Sequence, residues 1–372
     1  MDVANLGPLP RFGTIGLAEK TNLNRAMKKP LSGYLGGWGT TGYWVNKLQD
    51  DWASTFGSQY AIACNSATSG LMAACMAVGV QPGSRVWVPA YTMSATVACA
   101  KVLGASVAFI DIETMRFSMN LNLLREPFPK CIIVTNLFGH PAYLANIRSW
   151  CDSNKVWMIE DNSQSPFATE SGKYSGTFGH LGVFSLNVHK HMQAGEGGVV
   201  VTNSEELAKC LHDAINHGEL TPVENRKLLC GLNLRMTEPT AAIASAQLAK
   251  GPGIIEGRRE LAQQLNEMVK DYSFIKPPVE DEGCRHVYYM WAAQVDKDRR
   301  DRFVDRLQQK EFPIRKGYTM PMDRLFTHAA CPEADRMEDE ALITFEMCAH
   351  SPRKHHLRRM ADIIKWAAEN ED

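Results

Sequence analysis

No stretch of the 372-residue chain approaches the ~18 uninterrupted apolar residues of a membrane-spanning helix, so none is expected. The opening segment MDVANLGPLPRFG has no basic stretch followed by an apolar run, and no secretory signal is expected from it. The ten cysteines include no CxxC pair and follow no regular spacing, which argues against a zinc-finger type of metal site. Cys64, Cys75, Cys99, Cys131 and Cys230 lie in apolar settings, and reduced thiols fit a cytoplasmic protein. An excess of charge is lacking too. The 40 Lys and Arg against 41 Asp and Glu leave a formal net charge of −1, which gives no footprint for nucleic acid or an anionic membrane. Gly33, Gly36, Gly37, Gly39 and Gly42 form a glycine-rich turn region, but it lacks the preceding strand and the GxGxxG order of a dinucleotide site.

What remains is the composition of a globular enzyme, with 45% hydrophobic and 22% charged residues. The length suits about two domains and a large core. No internal repeat or low-complexity run interrupts the chain. Residues 1–35 are mixed and proline-containing, and are expected to pack as an irregular arm with a short helix. From residue 59 a regular alternation begins. Short apolar runs at 59–64, 84–90, 105–111, 130–136, 156–161, 183–186 and 197–202 read as strands. Segments 68–79, 94–104, 142–153 and 204–218 read as helices, the last capped by Ser204 and closed by Gly218. This is the signature of an α/β fold, a parallel sheet wrapped by helices. After about residue 240 the pattern changes. Helices are expected at 240–250, 254–272, 300–312 and 353–369 and a strand at 288–295, which suits a smaller α+β unit. The domain expectation is an arm at 1–35, a large domain at 36–245 and a smaller one at 246–372.

In a parallel α/β sheet, ligands bind beyond the carboxyl ends of the strands. Three segments there carry chemistry. Asn65-Ser66-Ala67-Thr68-Ser69-Gly70 enters a helix, and its small residues suit an anion at the helix N-terminus or an ordinary N-cap by Thr68. Glu160-Asp161-Asn162-Ser163-Gln164 offers a carboxylate that is either catalytic or a cap. Asn187-Val188-His189-Lys190-His191, followed by Gly195-Glu196-Gly197-Gly198, offers a lysine that is either a surface group or a Schiff-base amine. Burial and neighbouring cations would lower its pKa and supply the neutral amine such chemistry needs. The two histidines diverge in direction from adjacent positions, which argues against a metal pair.

Taken together, these segments resemble the DegT/StrS family of pyridoxal-phosphate (PLP) sugar aminotransferases. The resemblance rests on six motifs in order: the Thr-bearing turn at 66–71, PAYT at 89–92, NLFGHP at 136–141, IEDNSQ at 159–164, FSL…K…GEGG at 184–198 and GLNLRMTEPTAAIASAQL at 231–248. It covers about residues 33–250, with a weaker echo in HVYYMWAAQ at 286–294. The resemblance implies a type I aminotransferase fold, with a large mostly parallel sheet domain, a smaller α+β C-terminal domain and a homodimer with active sites at the interface. It implies that Lys190 is the Schiff-base lysine and that Asp161 pairs with the pyridine nitrogen. It further implies that Gln164 binds the ring's phenolic oxygen, that Ala67, Thr68 and Ser185 hold the phosphate, and that Asn233 reaches the phosphate of the neighbouring subunit's cofactor. Three departures stand out: Ala67 where the family has glycine, Met93 where it has the ring-stacking aromatic, and Leu186-Asn187 where it has Phe-His. Met93 or Tyr91 would then pack on the ring.

The function implied is transfer of an amino group from L-glutamate or glutamine to a keto-sugar, nucleotide-linked, in amino-sugar and polysaccharide biosynthesis. Relatives with histidine in place of the lysine remove a hydroxyl from a keto-sugar instead. His189 and His191 flank the position, but the spacing to GEGG puts Lys190 on it. A non-catalytic PLP-binding regulator is the other alternative. Arg315, Lys316 and Tyr318 read as surface residues, with contact to a phosphate or sugar as the second reading.

Overall fold

The computed structural model describes residues 3–33, 42–218, 230–327 and 329–369. Its large sheet is built from five-residue strands that are mostly buried on both faces, the edge strand at Ser106–Ile110 excepted, where only Val107 is buried. They are β1 (Tyr60–Cys64), β2 (Arg85–Pro89), β3 (Ser106–Ile110), β4 (Cys131–Thr135) and β5 (Trp157–Asp161). Two two-residue strands follow, β6 (Thr169–Glu170) and β7 (Lys173–Tyr174), and then β8 (Leu181–Ser185) and β9 (Gly198–Thr202). The order across the seven-stranded sheet is β1-β9-β8-β5-β4-β2-β3. β9 runs antiparallel to both its neighbours, β1 and β8. Strands buried on both faces read as continuous apolar runs rather than alternating ones, which is why they were legible.

The connecting helices are α1 (Leu17–Ala26), α2 (Tyr43–Phe56), α3 (Ala67–Ala77), α4 (Ser94–Lys101), α5 (Leu144–Asn154) and α6 (Glu205–Ile215). α1 is the short helix expected of the arm. Ser204 caps α6 as expected, its Oγ accepting from the Leu207 N–H at 3.3 Å. One face of the sheet buries Val86, Ile133, Val183 and Val200 beneath Leu71 and Leu211. Cys64, Cys75, Cys99 and Cys131 are buried free thiols, but Cys230 is exposed. Leu232, two positions on, is 41% exposed as well, and the chain re-enters the core at Leu234.

The next helix, α7 (Glu238–Val269), corrects the expectation of two helices at 240–250 and 254–272. It is one helix of 32 residues with Pro252 inside it. Pro252 removes one intrahelical hydrogen bond, and glycines on both sides add a break signal. Packing overrides both. Leu248 and Ile255 are buried with Phe167 and Met192 in one core, whereas Leu261, Leu265 and Val269 belong to another. That second core surrounds the sheet β10-β12-β14-β13, made of β10 (Ile275–Lys276), β12 (Met290–Val295), β13 (Ile314–Lys316) and β14 (Leu342–Glu346). α8 (Lys297–Gln309) and the C-terminal helix at Lys354–Glu369 complete it. β11 (Cys284–Arg285) pairs with β6 in a separate three-stranded sheet. α7 therefore passes without a break through the 245/246 position expected to divide two domains.

The two glycines flanking Pro252 make a discriminating pair. A Cβ on Gly251 would come within 2.3 Å of the Phe167 ring, whereas a Cβ on Gly253 meets nothing within 4 Å. Gly253→Ala should stabilise by roughly 0.5–1 kcal/mol, the usual gain in an exposed helix interior. Gly251→Ala should destabilise by about 1–3 kcal/mol through overpacking. Denaturant midpoints of the two variants check both signs.

Candidate active site

Strand register brings the chemistry to one edge. Thr135 at the end of β4 lies opposite Asp161 at the end of β5. Ser185, ending β8, lies opposite Gly198, which starts β9, and Gly198 also faces Cys64 at the end of β1. The carboxyl ends of β1, β4, β5 and β8 thus open on one cavity of about 590 Å³. Ala67, Thr68, Met93, Asp161, Gln164, Ser185 and Lys190 all line it. Asn233 does not; it is exposed and its backbone bridges Asn216. Any role for Asn233 at such a cavity needs a second copy of the chain.

Lys190 sits on a loop folded back between β8 and β9. The backbone N–H groups of Leu186 and Val188 donate to Gly197 and Gly195, at 2.9 and 3.0 Å. Gly195 and Gly197 have φ values of 84° and 148°, conformations open to glycine and strained for other residues, which is the physical content of GEGG. The turn drives Lys190 inward until only 8% of it is exposed. Burial lowers its pKa from 10.5 to about 8, against the opposing pull of the Asp161 carboxylate. Its Nζ lies 4.4 Å from the centre of the Tyr289 ring.

The flanking histidines part company, as adjacent positions should. His189 is exposed at the cavity rim. His191 is buried, and its Nε2–H donates to the Val287 carbonyl at 2.9 Å. Burial pushes its pKa down to about 3, so this imidazole is neutral.

Asp161 is buried, and both carboxylate oxygens are held. Oδ2 accepts from Thr96 Oγ1 at 2.7 Å, and Oδ1 accepts from the Ser163 N–H at 3.1 Å. Gln164 is fixed by two bonds, with Oε1 accepting from the Phe138 N–H at 2.7 Å and Nε2 donating to the Tyr318 hydroxyl at 3.0 Å. One amide proton of Gln164 is left for a ligand.

At the far end lies the N-terminus of α3. The cap is Ser66, not Thr68: its Oγ accepts from the Ser69 N–H at 3.1 Å. That frees Thr68, exposed in the first turn, and leaves the Ala67 and Thr68 N–H groups without intrahelical partners. Ala67 is helical, with none of the positive φ that would bar alanine from such a turn. A Cβ on Gly198 would approach the Ala67 nitrogen to 2.7 Å, so the first glycine of β9 keeps that donor uncovered. Met93 lines the wall and is 52% exposed, whereas Tyr91 is fully buried outside it and donates to Glu338 Oε2 at 2.5 Å.

Several wall residues were missed or misread. Tyr318, read first as a surface residue, is half-buried, and its hydroxyl accepts directly from Gln164. Arg315 lines the cavity paired with Glu346, but Lys316 stays outside, 2.7 Å from Asp305. Thr92, Thr135, Tyr289 and Cys348 also face the cavity. The sequence signal for Tyr289 was the aromatic segment at 286–294; for Cys348 there was none.

The model of the DegT/DnrJ/EryC1/StrS aminotransferase family matches residues 23–357. The chain belongs to that family. Among DegT/DnrJ/EryC1/StrS proteins it is 30% identical to a GDP-perosamine synthase of Escherichia coli O157:H7 over 290 residues, 76% of this chain and 79% of the relative. It is 29% identical to a GDP-4-keto-6-deoxy-D-mannose 3-dehydratase of Escherichia coli O55:H7 over 285 residues, 70% of this chain and 73% of the relative. An aminotransferase structure from Psychrobacter cryohalolentis superposes with a TM-score of 0.86, covering 96% of this chain and 98% of that one at 22% identity. The expected α/β aminotransferase fold, with its large mostly parallel sheet, is thereby shown.

The desolvated amine gives a pH test. Labelling of Lys190 in the cofactor-free protein by an amine-reactive reagent should rise with pH to a plateau, with a midpoint near 8. Peptide mass mapping reads the site. A midpoint near 10.5, the ordinary lysine value, would show that the amine is solvated.

Proposed function

We propose that this enzyme is a PLP-dependent aminotransferase that moves an amino group from L-glutamate or glutamine to a keto-sugar, nucleotide-linked, in amino-sugar biosynthesis. The observation that carries this reading is one buried lysine amine sharing a cavity with a buried carboxylate and a helix N-terminus. These residues fit PLP. The α3 N-terminus with Ala67 and Thr68, beside Ser185, suits a phosphate dianion. Asp161 suits the pyridine nitrogen, Gln164 the phenolic oxygen and Met93 a ring face, where a thioether packs well.

PLP when bound supplies an electron sink for the charge left as a substrate C–H bond breaks. The chain's residues do the rest. Asp161, held by Thr96 and Ser163, would keep a proton on the ring nitrogen. Gln164, clamped by Phe138 and Tyr318, keeps one N–H aimed into the cavity. Lys190 would hold the cofactor at its aldehyde group, and its Nζ, when free, would be the group placed to take up and return the substrate's proton. An amine with a pKa of about 8 serves as both base and acid near neutral pH.

The dehydratase reading is disfavoured by the same geometry, because the residue turned into the cavity at this position is lysine while His191 is bound to a main-chain carbonyl outside it. A non-catalytic PLP-binding regulator would not need the buried lysine, the held carboxylate and the clamped glutamine together. Met93, Val188 and Leu232 are exposed apolar residues, and Asn233 has no place in its own chain's cavity. Both features support a homodimer in which a second copy completes the phosphate end. None of the described helices is long and apolar enough to cross a membrane, in keeping with a cytoplasmic enzyme that feeds polysaccharide assembly.

Borohydride treatment of the PLP-loaded protein should fix one cofactor to Lys190, and L-glutamate added beforehand should abolish the adduct by converting the cofactor to its amine form. Lys190→Ala should lose the adduct and at least ~10²–10⁴-fold of turnover. An adduct elsewhere, or a variant turning over at the original rate, would overturn the assignment.

A further inference from the structure

Asp161 does not stand alone behind the cavity. Thr96, in the first turn of α4, donates its hydroxyl to Asp161 Oδ2 at 2.7 Å. Thr96 Oγ1 lies 3.0 Å from Thr92 Oγ1, and Thr92 Oγ1 lies 2.9 Å from Thr135 Oγ1. All three threonines are buried, at 0%, 0% and 4% exposure for Thr96, Thr92 and Thr135. They come from three places: the α4 first turn, the segment after β2 and the carboxyl end of β4.

A threonine hydroxyl has one proton. The carboxylate takes the proton of Thr96. Thr92 must then donate to Thr96, and Thr135 must donate to Thr92. The hydrogen bonds therefore have a single allowed direction, Thr135 to Thr92 to Thr96 to Asp161, with every O–H dipole aimed at the carboxylate. Chains of aligned hydrogen bonds polarise one another in a low-dielectric interior. The Ser163 N–H on the other oxygen pins the carboxylate plane.

We propose that the Thr135–Thr92–Thr96 chain is a positioning device that holds Asp161 as an oriented anion, so that Asp161 can keep the cofactor's ring nitrogen protonated. This rests on the reading of Asp161 as the ring partner given under the proposed function. The threonines touch neither substrate nor reacting atoms through this role; Thr96 acts wholly through Asp161. Valine is nearly the shape of threonine, so Thr96→Val removes the donor while keeping the volume, and Thr96→Ser keeps the donor while removing a methyl group.

The test reconstitutes cofactor-free protein with PLP labelled by ¹⁵N in the ring. It reads the ¹⁵N shift, which reports protonation of that nitrogen, and the PLP dissociation constant. Thermal midpoints of the cofactor-free variants check folding. Thr96→Val should bind PLP roughly tenfold more weakly or worse, as expected for a lost hydrogen bond to a charged group, and its ¹⁵N shift should move toward the unprotonated value. Thr96→Ser should restore both. A folded Thr96→Val protein with the original shift and affinity would overturn the proposal. If Thr96→Val fails to fold, Thr92→Val carries the same test with a smaller change in the same direction, and no change overturns it. Asp161→Asn separates the two ideas. If it leaves the ¹⁵N shift in place, Asp161 is not the ring partner and both fall; if it abolishes the protonated signal while the threonine variants do nothing, only the chain proposal falls.

Discussion

Taking one ammonium out of water is the constraint on which the site turns. Lys190 is buried at a cost that shows as a pKa of about 8, and the fold accepts that cost only because the loop carrying it is closed by main-chain hydrogen bonds and by two glycines in conformations costly for other residues. The same loop is backed by Met192, which packs beside Gly251 of α7. The position of the amine is thus a property of sheet, loop and long helix together. A looser loop would let the amine reach water and regain its charge.

The carboxyl edge of the sheet does the rest by register. Strand pairing fixes Asp161 level with Thr135, and Ser185 level with Gly198. No side chain has to search for its partner once the ladder forms. This is why residues separated by more than a hundred positions in the chain, from Ala67 to Lys190, meet in one cavity.

Much of this was legible because it is local. Apolar runs buried on both faces announced the strands, and the order of small motifs pointed to a lysine, an aspartate and a glutamine that the fold brings to one cavity. What escaped was non-local or competitive. Pro252 and its glycines spell a break, yet packing against two cores carries α7 through it. Thr68 has the chemistry of a cap, but Ser66 is two positions nearer the strand and takes the role. Tyr318 comes from beyond residue 285, where the motif order fades, and the echo at 286–294 hinted at Tyr289 without placing it; the folded chain sets them beside Gln164 and Lys190. Thr96 was invisible because nothing in PAYTMSAT says which hydroxyl meets a carboxylate 65 positions away.

The continuity of α7 has a mechanical meaning. At about 1.5 Å per residue, its 32 residues form a strut roughly 48 Å long that is embedded at one end in the core beside Met192 and at the other in the core of the second sheet. Two bodies that share a rigid beam do not hinge freely about it. Admission of a bulky substrate then falls to the segments that rim the cavity, and the framework beneath them keeps its shape from one turnover to the next.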